Sequence, residues 1–342
     1  MAGNPEAGAH TNFITTASSM KAFVTGGSGF LGQRLIARLR QEGHEVTALS
    51  RSPKSDAKLK SLGATTIRGA LTDIDGWQDA LQGREVVVHA ASPIEVWGDW
   101  KDFERDIVRA SLDLYRAAAR QKVRRFIQIS SESVLQGDGP LLDVGENHPY
   151  PAEPNSFYGK AKMLVEQGLL ANITGTECII LRPAFIWGQG GEQLDKVVDK
   201  VRSGQFMWID HGDAAMEMVH VDNVVEAVRL ALTQGGSGQV YWVTDGRPMP
   251  VREFLGALLR ARGVETPNRS LPGSLARSVA AGVEAVWRLL GLKSVPPLSR
   301  FQLDFIALPR RYDLGKSQRE LGYKPVRTFE QGIAEMQEGR GG

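Results

Sequence analysis

The chain has 342 residues, of which 42% are hydrophobic, and its 41 basic and 39 acidic side chains give a net charge of +2. This length accommodates one large domain with an added lobe, or two domains, and a charge so near neutrality gives no reason to expect a nucleic-acid partner. One cysteine, Cys178, excludes an intrachain disulfide, and no histidine and cysteine cluster has metal-ligand spacing, so no metal is expected.

Residues 1–19 are small, polar and unpatterned, and they lack the charged and apolar regions of a signal peptide. Met20 directly precedes the first predicted strand, so we expect residues 1–19 to be a disordered leader or an extension added for expression. The sequence has no run of 18 or more apolar residues that could span a membrane. We therefore expect a cytoplasmic protein without a transmembrane segment.

A glycine-rich turn joins the first predicted strand to a helix. Gly26, Gly29 and Gly32 are spaced as Gly-x-x-Gly-x-x-Gly. The first glycine permits a tight turn, the second lets the backbone approach a pyrophosphate, and the third lets the helix pack close to the sheet. The pattern predicts a dinucleotide site whose phosphates lie at the start of the helix, at Phe30 and Leu31.

The ends of two further predicted strands carry features of the same site. The second strand ends in Ser50 and Arg51, where an NAD site normally has an acid for the ribose 2′-hydroxyl. Serine and arginine can accept a 2′-phosphate, so NADP(H) is favoured over NAD(H), although Arg51 could also be a solvated loop charge. The fourth strand is followed by the small residues Ala90 and Ala91, where the cofactor has to cross the sheet edge.

Apolar strand-like runs and helical patterns alternate through the first half of the chain. Strands are predicted at Lys21–Thr25, Glu45–Ser50, Thr65–Arg68, Glu85–His89, Arg125–Ser130 and Glu177–Leu181. Helices are predicted at Leu31–Glu42, Ala57–Leu62, Ile74–Leu81, Phe103–Gln121 and Phe157–Ala171. Because parallel neighbours need crossover connections, this alternation predicts an α/β fold with a Rossmann-type doubly wound parallel sheet.

The alternation becomes irregular after Pro183. Helices are predicted at Gln193–Ser203, Asp222–Leu232 and Pro250–Arg262, and one more strand at Val240–Val243. We therefore expect residues 20–182 to form an NAD(P)-binding domain. Residues 183–342 are expected to form mainly a smaller substrate-binding lobe, with some segments returning to the sheet.

A candidate proton-transfer site follows the fifth strand. Tyr158 and Lys162 are four residues apart, which places them on one face of a helix, and Ser131 follows the end of the strand. A nearby ammonium and an oxidised nicotinamide ring both favour the phenolate, so Tyr158 is the candidate general acid and base. Lys162 would also hold the nicotinamide ribose, and Ser131 would hydrogen-bond the reacting oxygen. An exposed helical pair is the structural alternative.

With these motifs the chain resembles the extended short-chain dehydrogenase/reductases, and within them the 3β-hydroxysteroid dehydrogenase-like branch. The resemblance covers about residues 20–336. It implies that Pro183 and Ala184 border the nicotinamide, and it selects Ser131 as the catalytic serine because Val134 follows three residues later. It also implies a homodimer formed through the helices predicted to begin at Phe103 and Phe157.

The chain departs from that family at three places. Gly69 is followed by Ala70 where the family often has an aspartate that binds the adenine, so this contact would fall to the backbone near Leu71. Ile107 stands where an asparagine usually supports a proton-relay water. The segment 134–137 lacks the tyrosine that nucleotide-sugar epimerases carry after the serine.

The resemblance implies an oxidoreductase that interconverts a secondary alcohol and a ketone on a hydrophobic substrate of the steroid, sterol or 3-oxo acid type. The candidate pocket lining is apolar: Trp97, Trp100, Phe185, Trp187, Phe206, Trp208, Met216 and Met218. Two alternatives stay open. One is a nucleotide-sugar epimerase or dehydratase with tightly bound NAD(P), and the other is a cofactor-binding protein that has lost catalysis.

One apolar stretch has two interpretations. Residues 272–292 contain apolar side chains at helical spacing, interrupted by Arg277, Glu284 and Arg288. The stretch could be a helix of the substrate lobe, or an interfacial helix that makes a peripheral contact with a membrane surface.

Overall fold

The computed structural model describes residues 19–93, 97–137, 139–292 and 294–339. The expectation of a leader over residues 1–19 falls, apart from Ser19, outside the described residues. Within the described ranges, no helix is both long enough and apolar enough to cross a membrane.

The strands are short and are distributed along the whole chain. They are β1 (Lys21–Thr25), β2 (Glu45–Ser50), β3 (Thr65–Arg68), β4 (Val86–His89), β5 (Arg125–Ile129), β6 (Leu141–Val144), β7 (Glu177–Pro183), β8 (Phe185–Trp187), β9 (Trp208–Ile209), β10 (Ala215–Met216), β11 (Met218–His220), β12 (Gln239–Val243), β13 (Met249–Pro250), β14 (Ser270–Leu271) and β15 (Arg310–Tyr312).

The helices alternate with these strands. They are α1 (Phe30–Gln41), α2 (Pro53–Ser61), α3 (Trp100–Phe103), α4 (Ala110–Arg120), α5 (Phe157–Ala171), α6 (Glu192–Arg202), α7 (Val221–Ala231), α8 (Val251–Ala261), α9 (Gly273–Leu289), α10 (Arg300–Ala307) and α11 (Phe329–Glu338). Short 3₁₀ turns lie at Gln78–Leu81, Glu132–Leu135 and Asp210–Gly212, and π-helical segments at Glu104–Arg109 and Ser317–Leu321.

The central sheet has seven strands in the order β3-β2-β1-β4-β5-β7-β12, and every neighbouring pair is parallel. Its central strands are almost entirely apolar because helices cover both faces. The predicted Rossmann-type α/β fold is confirmed. The strand order reverses between β1 and β4, and the crevice outside the carboxyl ends of these strands is where such folds bind ligands.

A second group of elements packs around its own apolar core, which includes Trp208, Phe254 and Leu258. A four-stranded sheet in the order β13-β10-β15-β6 and the strand pairs β8–β11 and β9–β14 belong to this region. The two regions are not divided at residue 183, because each contains a strand from the other part of the chain. β6 precedes residue 182 and pairs with β15, whereas β12 follows residue 183 and completes the central sheet beside β7.

Three predicted helices differ from the observed ones, and the one predicted at Phe103–Gln121 is interrupted by the π-helical segment Glu104–Arg109. α2 begins at Pro53 rather than Ala57 because the Ser52 hydroxyl accepts the Ser55 N–H at 3.2 Å and proline occupies the first helical position. The helix predicted over residues 74–81 is only a short 3₁₀ turn. There Trp77 is buried and stacks on Phe23 at 5.5 Å between ring centres, so tertiary packing overrides the helical pattern.

Candidate active site

The glycine turn after β1 packs directly on the end of β4. Gly26 has a φ of +73°, and a Cβ there would lie 2.6 Å from the backbone nitrogen of Ala91 and 2.7 Å from the carbonyl carbon of Ala90. A Cβ on Gly32 would lie 2.2 Å from the Gly26 carbonyl oxygen, so α1 begins against the turn. Gly29 has a single close neighbour, the same oxygen at 3.3 Å. The turn therefore requires glycine at the first and third positions, while the middle position leaves its backbone open to a ligand.

The N-terminus of α1 is suited to an anion. Its N-cap residue is Gly29, no side chain caps the helix, and no acidic residue occupies its first turn. By contrast, Ser156 caps α5 by accepting the Gly159 N–H at 3.0 Å. The first backbone N–H groups of α1, those of Phe30 and Leu31, thus lie at the positive end of the helix dipole. No side chain caps them. This arrangement fits the pyrophosphate of a dinucleotide.

β2 ends in Ser50, which carries a hydroxyl, and Arg51, a cation, follows it directly. Ser50 is buried, and its hydroxyl donates to the Ser52 carbonyl at 3.1 Å, while Arg51 is exposed. An acid does lie nearby, although it comes from α2. The Ser50 hydroxyl and the Arg68 guanidinium hold the pKa of Asp56 below its usual range. Since Asp56 is paired with Arg68, it differs from the unpaired acid expected of an NAD site, and the sequence pattern gave no signal for it.

The three predicted catalytic residues lie together at the carboxyl end of β5. Tyr158 lies in the first turn of α5, and the hydroxyls of Ser131 and Ser92 are near enough to its phenol to lower its pKa. The Lys162 ammonium lies 5.8 Å from the centre of the Tyr158 ring and donates to the Ile129 carbonyl at 3.0 Å. Ser92, in the loop after β4, is a contact that the sequence analysis missed because nothing in the local pattern links that loop to α5.

Burial has the largest effect on the pKa values of Tyr158 and Lys162. It raises the pKa of Tyr158 to about 12, and the two serine hydroxyls offset this only in part. Burial also lowers the pKa of Lys162 to about 8, against the opposing effect of the Glu166 carboxylate. Among the protein's own groups, desolvation therefore has the largest effect on the pKa of Tyr158. At neutral pH the tyrosine is a phenol and the lysine is charged.

A buried ion pair lies behind Lys162. The Glu166 carboxylate is fully buried, accepts from the Arg182 guanidinium at 2.6 Å and 3.0 Å, and accepts from the Tyr150 hydroxyl at 2.7 Å. It also accepts from the Ser130 hydroxyl at 2.5 Å. These contacts tie α5 to the carboxyl ends of β5 and β7. Those strand ends carry Ser131, the predicted catalytic serine, and the residues predicted to border the nicotinamide.

The remaining predicted cofactor contacts lie at the same edge of the sheet. Pro183 ends β7 and is buried, and the Ala184 N–H donates to the Val243 carbonyl at 3.0 Å. Leu71 is half-buried in the loop after β3, which is held by Trp77 through a 2.8 Å hydrogen bond to the Ala70 carbonyl. Their roles toward a cofactor stay predictions.

The position of the usual relay asparagine is apolar. Ile107 is buried in the π-helical segment between α3 and α4, where it cannot hydrogen-bond a water. One turn later, the Ser111 hydroxyl lies 2.9 Å from Nε2 of His89, and the Thr25 hydroxyl lies 2.6 Å from Nδ1. Burial lowers the pKa of His89 to about 3, so this imidazole is neutral. The chain thus has a buried hydroxyl–imidazole chain beside β4 but no relay side chain at Ile107.

The apolar pocket prediction is wrong for half of its residues. Four of them lie in the core of the second region and are unavailable to a ligand: Trp187, Trp208, Met216 and Met218. Phe185 and Phe206 are partly buried against that core. Trp97 and Trp100 are half-exposed in the segment after β4, and the Trp97 indole donates to the Leu292 carbonyl at 3.2 Å. The sequence indicated that these aromatic and methionine side chains lie away from water, but it could not indicate which of them belong to the core and which line a pocket.

A histidine and two carboxylates come together away from the catalytic residues. Ligand atoms of His220, Asp222 and Glu335 lie within 4.8 Å of one another. Two guanidinium groups neutralise the acids, Arg34 at 2.6 Å from Glu335 and Arg327 at 3.0 Å from Asp222. Nδ1 of His220 accepts the Asp222 N–H. The cluster is an ion-pair network that joins α1, α7 and α11.

The sequence model of the NAD dependent epimerase/dehydratase family matches residues 22–244. A 4-hydroxy-2-methyl-3-oxo-4-farnesyl-3,4-dihydroquinoline-1-oxide ketoreductase of Stigmatella aurantiaca is 35% identical, over 92% of this chain and 95% of its own length. A 2-alkyl-3-oxoalkanoate reductase of Stenotrophomonas maltophilia is 30% identical, over 93% and 98%. A decarboxylating sterol-4-alpha-carboxylate 3-dehydrogenase of Dictyostelium discoideum is also 30% identical, over 92% and 99%.

Solved structures share the fold at lower identity. The crystal structure of gox2253 superposes with a TM-score of 0.76 at 24% identity, over 94% of this chain and 99% of the other. A UDP-glucose 4-epimerase of Thermotoga maritima, solved with UDP-glucose, gives a TM-score of 0.72 at 22% identity, over 93% and 98%. These likenesses concern the fold alone.

Proposed function

The chain belongs to the NAD dependent epimerase/dehydratase family, and on that premise we propose that it is an NADP(H)-dependent oxidoreductase. The reaction interconverts a secondary alcohol and a ketone on a hydrophobic substrate. The curated relatives are named ketoreductases, 3-oxoalkanoate reductases and sterol or steroid dehydrogenases, which supports this class over sugar epimerisation.

The observation that carries the proposal is the convergence of Tyr158, Ser131 and Lys162 at the carboxyl end of β5. A phenol whose pKa is about 12 keeps its proton at neutral pH, so it can donate that proton to a carbonyl oxygen. Ser131 hydrogen-bonds the same oxygen and stabilises the charge that develops on it.

The residues at the sheet edge fit a dinucleotide, which when bound supplies the hydride. We assign the pyrophosphate to the open amides of α1 and the nicotinamide ribose to Lys162. The remaining contacts are the 2′-phosphate at Ser50 and Arg51, the adenine at the backbone of Leu71, the crossing of the sheet edge at Ala90 and Ala91, and the nicotinamide at Pro183 and Ala184.

The preference for NADP(H) rests on the end of β2. Arg51 is exposed there, and the nearby acid, Asp56, is engaged by Ser50 and Arg68. A guanidinium can bind a 2′-phosphate through charge-assisted hydrogen bonds, whereas a ribose hydroxyl gains little from it.

Two further proposals concern partners. The outer face of α9 leaves Leu275, Val279, Val286 and Leu289 exposed, the last by 85%. A stripe of this kind fits a peripheral contact of residues 272–292 with a lipid surface. Phe157 is 38% exposed at the start of α5, which fits a homodimer through the neighbouring helices.

The test is oxidation of NADPH or NADH, followed by absorbance, with a 3-oxosteroid, a 2-alkyl-3-oxo acid, a flavonoid ketone and a nucleotide sugar. We expect NADPH oxidation with a hydrophobic ketone, reduced by about 10²–10⁴-fold in Tyr158→Phe, the usual contribution of a general acid. Interconversion of the sugar without net cofactor oxidation, and no turnover of any ketone, would overturn the proposal.

A further inference from the structure

Basic side chains are concentrated around the carboxyl end of β2. Residues 51–68 carry five basic side chains and one acidic side chain, whereas the whole chain has a net charge of only +2. All five basic residues are exposed, and they are Arg51, Lys54, Lys58, Lys60 and Arg68. The function proposed above gives a role to Arg51 alone among them.

Arg68 lies beside the end of β2. β3 is parallel to β2, and Arg68 is the register partner of Ser50 at the last position of both strands. The Gly69 N–H donates to the Ser50 carbonyl at 3.0 Å, which joins the two strand ends. Because neighbouring strands lie about 4.8 Å apart and register partners point to the same face of a sheet, the side chain of Arg68 begins about 5 Å from that of Ser50.

The first turn of α2 contacts both of these residues. Asp56, in this turn, accepts a hydrogen bond from the Arg68 guanidinium. The Ser50 hydroxyl is near enough to the same carboxylate to lower its pKa. The three side chains therefore meet at the carboxyl end of β2, where a Rossmann-type fold binds the adenosine ribose of a dinucleotide.

The pair formed by Asp56 and Arg68 can exchange its anion. The contact joins Nη2 of the guanidinium to Oδ2 of the carboxylate, while Oδ1 has no hydrogen-bond partner within the residues that the structure describes. The Arg68 side chain is 48% exposed, and exposed ion pairs contribute little to stability. A phosphate can bind the guanidinium fork through two oxygens. A 2′-phosphate can therefore replace Asp56 as the partner of Arg68 at little cost.

The local charge favours the more anionic of the two cofactors. NADP(H) differs from NAD(H) by one phosphate, which carries a charge of about −1.5 to −2 at pH 7. The exposed lysines of α2 add positive potential around this phosphate without touching it. Asp56 is the acid within residues 51–68, and its charge opposes the same phosphate.

We propose that Arg68 is a second guanidinium of the 2′-phosphate site, beside Arg51, and that Asp56 weakens NADP(H) binding by competing for Arg68. The inference rests on the proposed function, and it adds two residues that determine the cofactor specificity. Arg68 attracts the 2′-phosphate, and Asp56 repels it. NAD(H), which lacks this phosphate, experiences neither effect.

The test measures the dissociation constants of NADP⁺ and NAD⁺ by calorimetry on the full chain. Arg68→Met removes the guanidinium and keeps an unbranched side chain. We expect this variant to raise Kd for NADP⁺ by about tenfold or more, because a charge-assisted contact to a phosphate is lost, and to leave Kd for NAD⁺ within about twofold. Asp56→Asn keeps the shape of the side chain and removes the competing charge, so it should lower Kd for NADP⁺ by about threefold or more.

Arg38→Met is the matched control. The Arg38 side chain is also 48% exposed and also pairs with a carboxylate, that of Glu42. It lies in the last turn of α1, away from the N-terminus of that helix. This variant should bind both cofactors as the wild type does.

Three results would contradict the inference. Equal wild-type Kd values for the two cofactors would overturn the proposed preference for NADP(H), and the role of Arg68 with it. A wild-type preference for NADP⁺ that Arg68→Met leaves unchanged would overturn the role of Arg68 and leave the proposed function intact. Binding of NADP⁺ by Asp56→Asn no tighter than by the wild type would overturn the competition, and this comparison holds even if Arg68→Met does not fold.

Discussion

Replacing Glu166 by glutamine tests the buried ion pair that ties α5, the helix of Tyr158 and Lys162, to the central sheet. The carboxylate is fully buried and receives four donor groups, from Arg182, Ser130 and Tyr150. Glutamine keeps the shape and one acceptor oxygen, but it removes the negative charge. Arg182, 1% exposed, would then carry a buried charge with no counter-charge, and its acceptors would be neutral: the new amide oxygen, the Glu146 carbonyl and the Tyr150 hydroxyl.

The expected loss of stability follows from that burial. Breaking a buried ion pair by removing one partner costs about 3–5 kcal/mol, because the other charge stays uncompensated. The entropy of unfolding is about 2.1 cal/mol/K per residue, or roughly 0.7 kcal/mol/K for a chain of this length. Glu166→Gln should therefore lower Tm by about 4–7 °C.

Thermal unfolding followed by circular dichroism measures this shift. The matched control is Glu284→Gln, which removes a carboxylate of 9% side-chain exposure from a pair with Arg300, whose side chain is 54% exposed. Because that arginine can be solvated, its loss of stability should be about 1 kcal/mol or less. Equal Tm values for Glu166→Gln and the wild type would refute the reasoning that the pair stabilises α5.

Three other changes follow from the site. Ketone reduction should decline as pH rises through about 8, because the Lys162 pKa of about 8 marks loss of its charge, and a Lys162→Met variant should lack this limb in a pH–rate profile. Arg51→Ala should raise KM for NADPH by about tenfold or more and leave KM for NADH unchanged, as measured by initial rates, because in our proposal only the 2′-phosphate contacts the guanidinium. Gly26→Ala should unfold at a lower temperature than the wild type and should lose cofactor binding, as measured by calorimetry. The reason is that its Cβ would lie 2.6 Å from the Ala91 nitrogen, at a φ of +73°. Cofactor binding equal to that of the wild type would contradict the turn geometry.

The sequence was sufficient to predict the central sheet and the proximity of Ser131, Tyr158 and Lys162. Buried parallel strands are continuous apolar runs, and the glycine turn has a geometry that few other residues permit, so both can be identified without tertiary information. Tyr158 and Lys162 share a helix face, and their proximity follows from helical periodicity alone.

The features that sequence reasoning missed depend on contacts between distant segments. Ser92 reaches Tyr158 from the loop after β4, and Asp56 reaches Ser50 from α2. The extent of burial of Tyr158, which raises its pKa, cannot be obtained from residue spacing either. Hydrophobic patterns indicate that a side chain is buried, but they do not indicate which neighbour it meets.

Transfer of deuterium from NADPH labelled at C4 of the nicotinamide to the product of a hydrophobic ketone, detected by mass spectrometry, tests the central claim most directly. We predict one deuterium at the new carbinol carbon, with the rate reduced by about 10²–10⁴-fold in Tyr158→Phe. An unlabelled product, or a rate that Tyr158→Phe leaves unchanged, would contradict the assignment of this chain as a ketone reductase that uses Tyr158 as its acid.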